Sequence, residues 1–139
     1  DNVIEVYEVG ARNDDVDPFK MIQRISTIEP DEKQRAAASG IEFSPDGNHL
    51  FVTNAGINTV IIYDVDKETG VLTPLFHCKT SGDYPKAVAV MPDNKHFIVL
   101  SHETDEIFIY NMNYEDCYFL QDSRPIEIEQ PNCIFIHKL

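Results

Sequence analysis

Two stretches of this chain superimpose without a gap. Gly40 to Val65 reads GIEFSPDGNHLFVTNAGINTVIIYDV, and Lys86 to Met112 reads KAVAVMPDNKHFIVLSHETDEIFIYNM, at a constant offset of 47 residues. At that offset Pro45-Asp46 falls on Pro92-Asp93, His49 on His96, Val52 on Val99, Ile62 on Ile109 and Tyr63 on Tyr110. A fixed period of this length, whose units each read as strands separated by turns, is the pattern of a β-propeller blade of about 40–50 residues. The expected fold is therefore all-β, built from blades of four antiparallel strands.

Period-2 alternation places the strands. In the first unit they are GIEF (40–43), HLFVTN (49–54), TVIIYDV (59–65) and VLTPLFHCK (71–79). Ser44-Pro45-Asp46-Gly47 is a turn whose proline presets φ and whose glycine accepts a positive one. Pro74 demands an edge position for the fourth strand, because an interior strand would lose a ladder hydrogen bond there. The second unit repeats the plan with KAVAV (86–90), HFIVLS (96–101), EIFIYNM (106–112) and a more irregular outer segment from Tyr118 to Ile128. Val60, Ile62, Ile107 and Ile109 are expected to face neighbouring blades.

The flanks carry parts of further units. NVIEVYEV (2–9) matches the third strand of a blade, and FKMIQRISTI (19–28) follows an acidic loop as an outer strand would. Residues 1–28 thus read as the second half of a blade, 29–39 as a connecting loop, 40–79 and 86–128 as full blades, and 131–136 (PNCIFI) as a closing strand resembling PKAVAV (85–90). Propellers close rings of typically four to eight blades, and closure protects their sheet edges. Two full units cannot close one. The expectation is either the C-terminal portion of a longer propeller, completed by its missing N-terminal blades, or a chain that completes its ring with further copies.

Charge narrows the partners. With 24 acidic against 11 basic side chains the formal net charge is −13, and both nucleic acid and anionic membrane surfaces demand a basic patch. Cys78, Cys117 and Cys133 leave one thiol unpaired under any disulfide scheme and match no zinc spacing, which points to reduced thiols and a cytoplasmic setting. No apolar run approaches the length of a membrane-spanning helix. There is no Gly-x-Ser-x-Gly elbow, no phosphate-cradling glycine loop and no His, Cys or acidic pair at metal-ligand spacing, so no metal or cofactor is implied.

The order SPDGNHLFVTNAGINTVIIYDVDKETGVLTPL, SGDYPKAVAVMPDNKHFIVLSHETDEIFIYNM and PNCIFI resembles the C-terminal blades of the seven-bladed propeller lactonase family, which includes bacterial 6-phosphogluconolactonase and fungal carboxymuconate cyclase. The resemblance implies a seven-bladed ring with acidic, His and Arg side chains around one mouth of its channel. Family members commonly read Ala-Glu-Ile-His before the first turn, where this chain has Ser39-Gly40-Ile41-Glu42. Their Asn-Arg-Gly appears as Asn54-Ala55-Gly56, their Pro-Arg-Asp-Phe as Pro85-Lys86-Ala87-Val88, and their Ala-Asn-Gln as Leu100-Ser101-His102. Asn54 keeps the family residue and Lys86 keeps the charge.

Lactone chemistry needs a general acid or base, and positive charge for a carboxylate and a developing oxyanion. Through the resemblance, Glu42 and His102 become the candidates for proton transfer near the channel mouth. Lys86 and Asn54 become the candidates for substrate binding, with a small anionic lactone or sugar acid as ligand. His49 and His96, at matching repeat positions, read as structural. The competing readings are a non-catalytic propeller that binds a ligand or protein, and an inactive proteolytic remnant.

Overall fold

A computed structural model describes residues 2–10, 18–32 and 36–137. Most of the acidic loop before Pro18, part of the connection after Glu29 and the last two residues lie outside them. Among the described residues, eleven strands form three antiparallel sheets. β1 (Val3–Val9) and β2 (Phe19–Ser26) make a two-stranded half-blade. β3 (Ala37–Phe43), β4 (His49–Ala55), β5 (Thr59–Val65) and β6 (Leu72–Lys79) make a four-stranded blade in sequence order. β7 (Pro85–Val90), β8 (His96–Ser101), β9 (Glu106–Asn113) and β10 (Tyr118–Gln121) make the next, with β11 (Ile126–Glu127) also on β9.

Alternation explains why both faces of the first blade are apolar. Phe51, Val60 and Ile62 pack against Val88, Val90, Phe97, Val99, Phe108, Tyr110 and Met112 of the second blade. The intervening Leu50, Val52, Ile61, Tyr63 and Leu72 pack against Ile4, Val6 and Ile25 of the half-blade. A one-residue slip of either central strand would exchange these faces, so the register is fixed by both neighbours at once. Phe97 anchors the seam between the two full blades. Its ring lies 5.2 Å from Phe51, 5.1 Å from Tyr110 and 5.2 Å from Phe119, the last edge-on, arrangements that add about 0.5–1.5 kcal/mol per pair beyond burial.

Val60 and Ile62 meet the neighbouring blade as expected. Their repeat partners Ile107 and Ile109 lie on the other face of β9, away from the first blade, and are half-buried. Pro74 sits on the edge strand β6, beside a bulge between Ile62 and Tyr63.

Two details differ from the sequence reading. The inner strand of the first blade begins at Ala37 rather than Gly40, so the connection ends sooner. Asn2 ties down this extension, its side chain accepting from Ala38 N and donating to Ala36 O, both at 3.0 Å. The outer segment of the second blade is two short strands, since Pro125 between them has no N–H for the ladder. Residues 131–136, expected to complete a blade elsewhere in the ring, form no strand among the described residues.

Candidate functional site

The turn from β4 into β5, the connection from β6 into β7 and the turn after β8 all lie at one end of the blades. Their backbone is cross-tied. Asn58, at φ 55°, receives Thr80 N–H on its carbonyl at 2.8 Å, donates from Nδ2 to Asp83 at 2.6 Å and accepts Tyr84 N–H on Oδ1 at 3.0 Å. On the other side His102 N–H donates to the Tyr84 carbonyl at 3.0 Å, and Thr104 Oγ1 accepts Asp83 N–H at 3.3 Å. The loop before the second inner strand is therefore pinned from both neighbouring turns.

Each inner strand carries one β-bulge, and the two occur at matching positions. Ser39 is the extra residue in β3 and Lys86 the extra residue in β7, 47 positions later. A bulge re-aims the side chain it carries and is favoured beside functional sites. The Ser39 hydroxyl turns toward the next blade and donates to the Pro85 carbonyl. Lys86 turns toward the loop, where its Nζ lies 5.5 Å from the centroid of the Tyr84 ring.

His102 completes the group. Its ring is 6.3 Å from that of Tyr84, tilted by 56°, and its Nδ1 is 3.3 Å from the Pro131 carbonyl oxygen. A carbonyl only accepts, so in the neutral ring this contact assigns the proton to Nδ1 and makes Nε2 the lone-pair nitrogen. A neutral imidazole oriented through Nδ1 is the arrangement a general base requires.

The other two expected residues lie elsewhere. Asn54 is fully buried between the half-blade and the first blade. Its Nδ2 donates to the Thr27 carbonyl at 2.8 Å and its Oδ1 accepts from the Thr27 hydroxyl at 2.8 Å, so its amide is occupied by a clasp between blades. Glu42, exposed near the far end of β3, precedes the Ser44–Gly47 turn and pairs with Phe51. It corresponds to Ala89 of the second blade, three residues or about 10 Å along the strand from Lys86's level. At the loop end, Lys86 and His102 each lie against the Tyr84 ring.

Tyr84 and Asn58 were missed by sequence reasoning. Asn58 carries a signal, since asparagine is, after glycine, the residue most readily placed at positive φ in a turn. Tyr84 carries none apart from its place directly before Pro85-Lys86.

The replaced Glu position has a steric counterpart. A Cβ on Gly40 would lie 2.8 Å from Thr53 Oγ1, 3.0 Å from Ala87 Cα and 3.2 Å from Val88 N. The inner strands of the two blades approach this closely because residue 40 has no side chain. Among the described residues, no group of three or more His, Cys, Asp or Glu is placed to hold a metal ion, and no helix is long and apolar enough to cross a membrane.

Four-stranded antiparallel blades packed face to face, with connecting loops gathered at one end of their inner strands, define a β-propeller with a candidate site at that end. Residues 1–136 match the family described as Lactonase, 7-bladed beta-propeller, and the chain belongs to that family. It is 22% identical over 122 residues to the 6-phosphogluconolactonase of Bacillus subtilis, covering 87% of this chain and 35% of that protein. To the 6-phosphogluconolactonase of Formosa agariphila it is 29% identical over 80 residues, covering 56% of this chain and 23% of that one. Among solved structures, the periplasmic gluconolactonase of Pseudomonas aeruginosa superimposes with a TM-score of 0.79 at 19% identity, over 95% of this chain and 36% of that one. The chain thus spans about a third or less of the length of these relatives.

Proposed function

We propose that this chain contributes one part of the mouth of a lactonase ring that hydrolyses an anionic sugar-acid lactone such as 6-phosphogluconolactone. The observation that carries the reading is that Lys86, aimed by its bulge, and His102, oriented through Nδ1, both lie against the Tyr84 ring. Lys86 offers a point charge to a carboxylate or phosphate, without the planar fork of an arginine. His102 takes a proton from water at Nε2 as that water attacks the lactone carbonyl carbon. The ring C–O bond then breaks, and the proton passes to the departing alkoxide, leaving the open hydroxy acid. Asn54 and Glu42 take no direct part in this scheme. Lactone-hydrolysing relatives and the family assignment support it.

In a complete ring, the face of β9 bearing Ile107 and Ile109 would meet a further blade, supplied by N-terminal residues or by another copy. We likewise propose the division into a half-blade, a connection, two full blades and a closing segment as the domain plan, and a cytoplasmic setting from the three unbridged thiols. The test is hydrolysis of 6-phosphogluconolactone by the intact protein beside Lys86→Ala and His102→Gln. Loss of a charge-assisted contact should raise KM about 10- to 100-fold in the first, and loss of the base should lower kcat about 10²- to 10⁴-fold in the second. Equal rates in all three would remove both residues from the mechanism.

One observation favours a second reading, a propeller that binds an anionic ligand without turning it over. Where family members commonly carry a glutamate, Gly40 is packed too tightly against Ala87 and Thr53 to accept one without movement. This reading expects binding of 6-phosphogluconate without hydrolysis across a lactone panel, and clear turnover would dispose of it.

A further inference from the structure

Six described residues other than glycine have positive φ: Asn58, Tyr84, Asn94, Asp105, Cys117 and Gln130. Tyr84, at 59°, is the one with a bulky aromatic side chain. Asn and Asp visit this region readily, whereas an aromatic residue there is a backbone outlier held by its surroundings. The surroundings are visible. Asn58 Oδ1 holds the Tyr84 N–H and His102 N–H holds its carbonyl, at 3.0 Å each. Two neighbouring turns are thus used to keep one aromatic ring in a strained position.

Both functional candidates lie against that ring. The Lys86 ammonium lies 5.5 Å from the ring centroid, within cation–π range of about 6 Å. His102 lies against the same ring at 6.3 Å. A lysine is a compact charge on a flexible four-carbon stem, and it loses rotamer freedom whenever it must bind at a fixed place. An aromatic face beside the stem limits where the ammonium goes before any ligand arrives, which is preorganisation.

We propose that Tyr84 is a positioning residue for Lys86, supplying to a lysine the direction that the planar fork of an arginine has by its own geometry. The proposal rests on the reading of Lys86 as the group that meets an anionic lactone. It deepens that reading by making Tyr84 a determinant of affinity for the anion, acting through Lys86 rather than by contact with the reacting atoms. Strain at Tyr84 is then retained for function: glycine at residue 84 would relax the backbone and lose the ring.

The experiment uses the intact protein with Tyr84→Phe, Tyr84→Leu and Tyr84→Gly. It reads thermal unfolding, the NMR shift of the Lys86 ε-methylene, KM and kcat for 6-phosphogluconolactone, and binding of 6-phosphogluconate. The ring should shift the ε-methylene upfield in the wild type and in Tyr84→Phe, and the shift should vanish in the other two. Tyr84→Phe should keep the wild-type KM. Tyr84→Leu should raise KM about threefold with kcat nearly unchanged, the scale of an exposed cation–π contact. Tyr84→Gly should raise KM likewise while raising the melting temperature by about 2–4 °C.

A structural role predicts the reverse for Tyr84→Gly, a lower melting temperature with unchanged KM, and that result would overturn the proposal. An ε-methylene shift that is the same in wild type and Tyr84→Leu would overturn it too. If the protein turns over no lactone, the lactonase reading fails on its own. The methylene shift and the 6-phosphogluconate affinity of the three variants then decide the role of Tyr84, with equal affinities counting against it.

Discussion

The hydroxyl of Tyr63 reaches across the gap between sheets and donates a 2.6 Å hydrogen bond to the carbonyl of Ser26, at the end of the half-blade's outer strand. The repeat preserves the device. Tyr110, 47 residues on, accepts the Ser81 N–H at 2.7 Å just beyond the outer strand of the first blade. Burial raises the proton affinity of both phenols, so each stays neutral across the physiological range. Both side chains are otherwise packed in the inter-blade cores.

Removing the Tyr63 hydroxyl leaves the ring packed and the Ser26 carbonyl without this partner. Tyr63→Phe should therefore cost about 1–2 kcal/mol in chemical denaturation of the intact protein. Tyr110→Phe should cost about the same, because it orphans an N–H instead. A phenylalanine variant as stable as the wild type at either site would show that water replaces the bond.

Asn54 gives a comparable test with a different discriminating readout. Its amide serves Thr27 on both sides of a buried seam, so Asn54→Ala should destabilise by about 2–3 kcal/mol through two unpaired groups. Where the variant remains folded, affinity for 6-phosphogluconate should match the wild type. A selective loss of affinity without loss of stability would return Asn54 to the binding site.

The blade plan was legible because it is written in period-2 alternation and in an offset of 47 that carries every strand and turn with it. Thr59–Val65 forms over the residues read as the third strand, since a strand buried on both faces leaves a continuous apolar run bounded by turns. The start of β3 was hidden: Ala37-Ala38-Ser39 has no alternation, and what extends the strand is the side chain of Asn2, far off in sequence. The site was half legible. Lys86, His102 and Asn54 all became candidates through the family resemblance, and residue identity does not reveal whether an amide faces solvent or a buried threonine. Tyr84 was invisible because its importance lies in a backbone angle and a cation–π distance.

His49 and Asp93, at the turns of the two repeats, should give stability separate acid limbs. Burial holds His49 below its ordinary 6.5, against the opposing pull of Asp64 and Asp46. Its neutral form is favoured by folding, so its contribution is full above about pH 6.5 and is lost as pH falls from there. Asp93 accepts backbone N–H bonds from His96 and Lys95, and the first of these chiefly holds its carboxyl at about 2, against an ordinary 3.8. A depressed carboxylate stabilises above 3.8 and loses that contribution as pH falls toward 2. Urea denaturation from pH 8 to 2 should show His49→Phe flattening the upper limb and Asp93→Ala lowering stability by about 1 kcal/mol at pH 7 but not near pH 2. Parallel curves for Asp93→Ala and wild type throughout would mean that the turn does not depend on the carboxylate charge.

Gly40 makes the sharpest prediction about the seam between inner strands. A methyl group there would sit 3.0 Å from Ala87 Cα and 3.2 Å from Val88 N, both backbone atoms of a strand held in its own sheet by β8. Neither can rotate aside as the Thr53 hydroxyl can, so relief requires the two blades to part. Gly40→Ala should then cost about 1–3 kcal/mol, the scale of overpacking, even though alanine is otherwise better suited than glycine to a strand interior. Gly40→Glu, which installs the residue that family members commonly carry, should be at least as destabilising and should not raise lactone turnover. A Gly40→Ala protein with wild-type stability would show that the seam is looser than these distances require, and gain of turnover in Gly40→Glu would favour the missing carboxylate over the Lys86, Tyr84 and His102 arrangement.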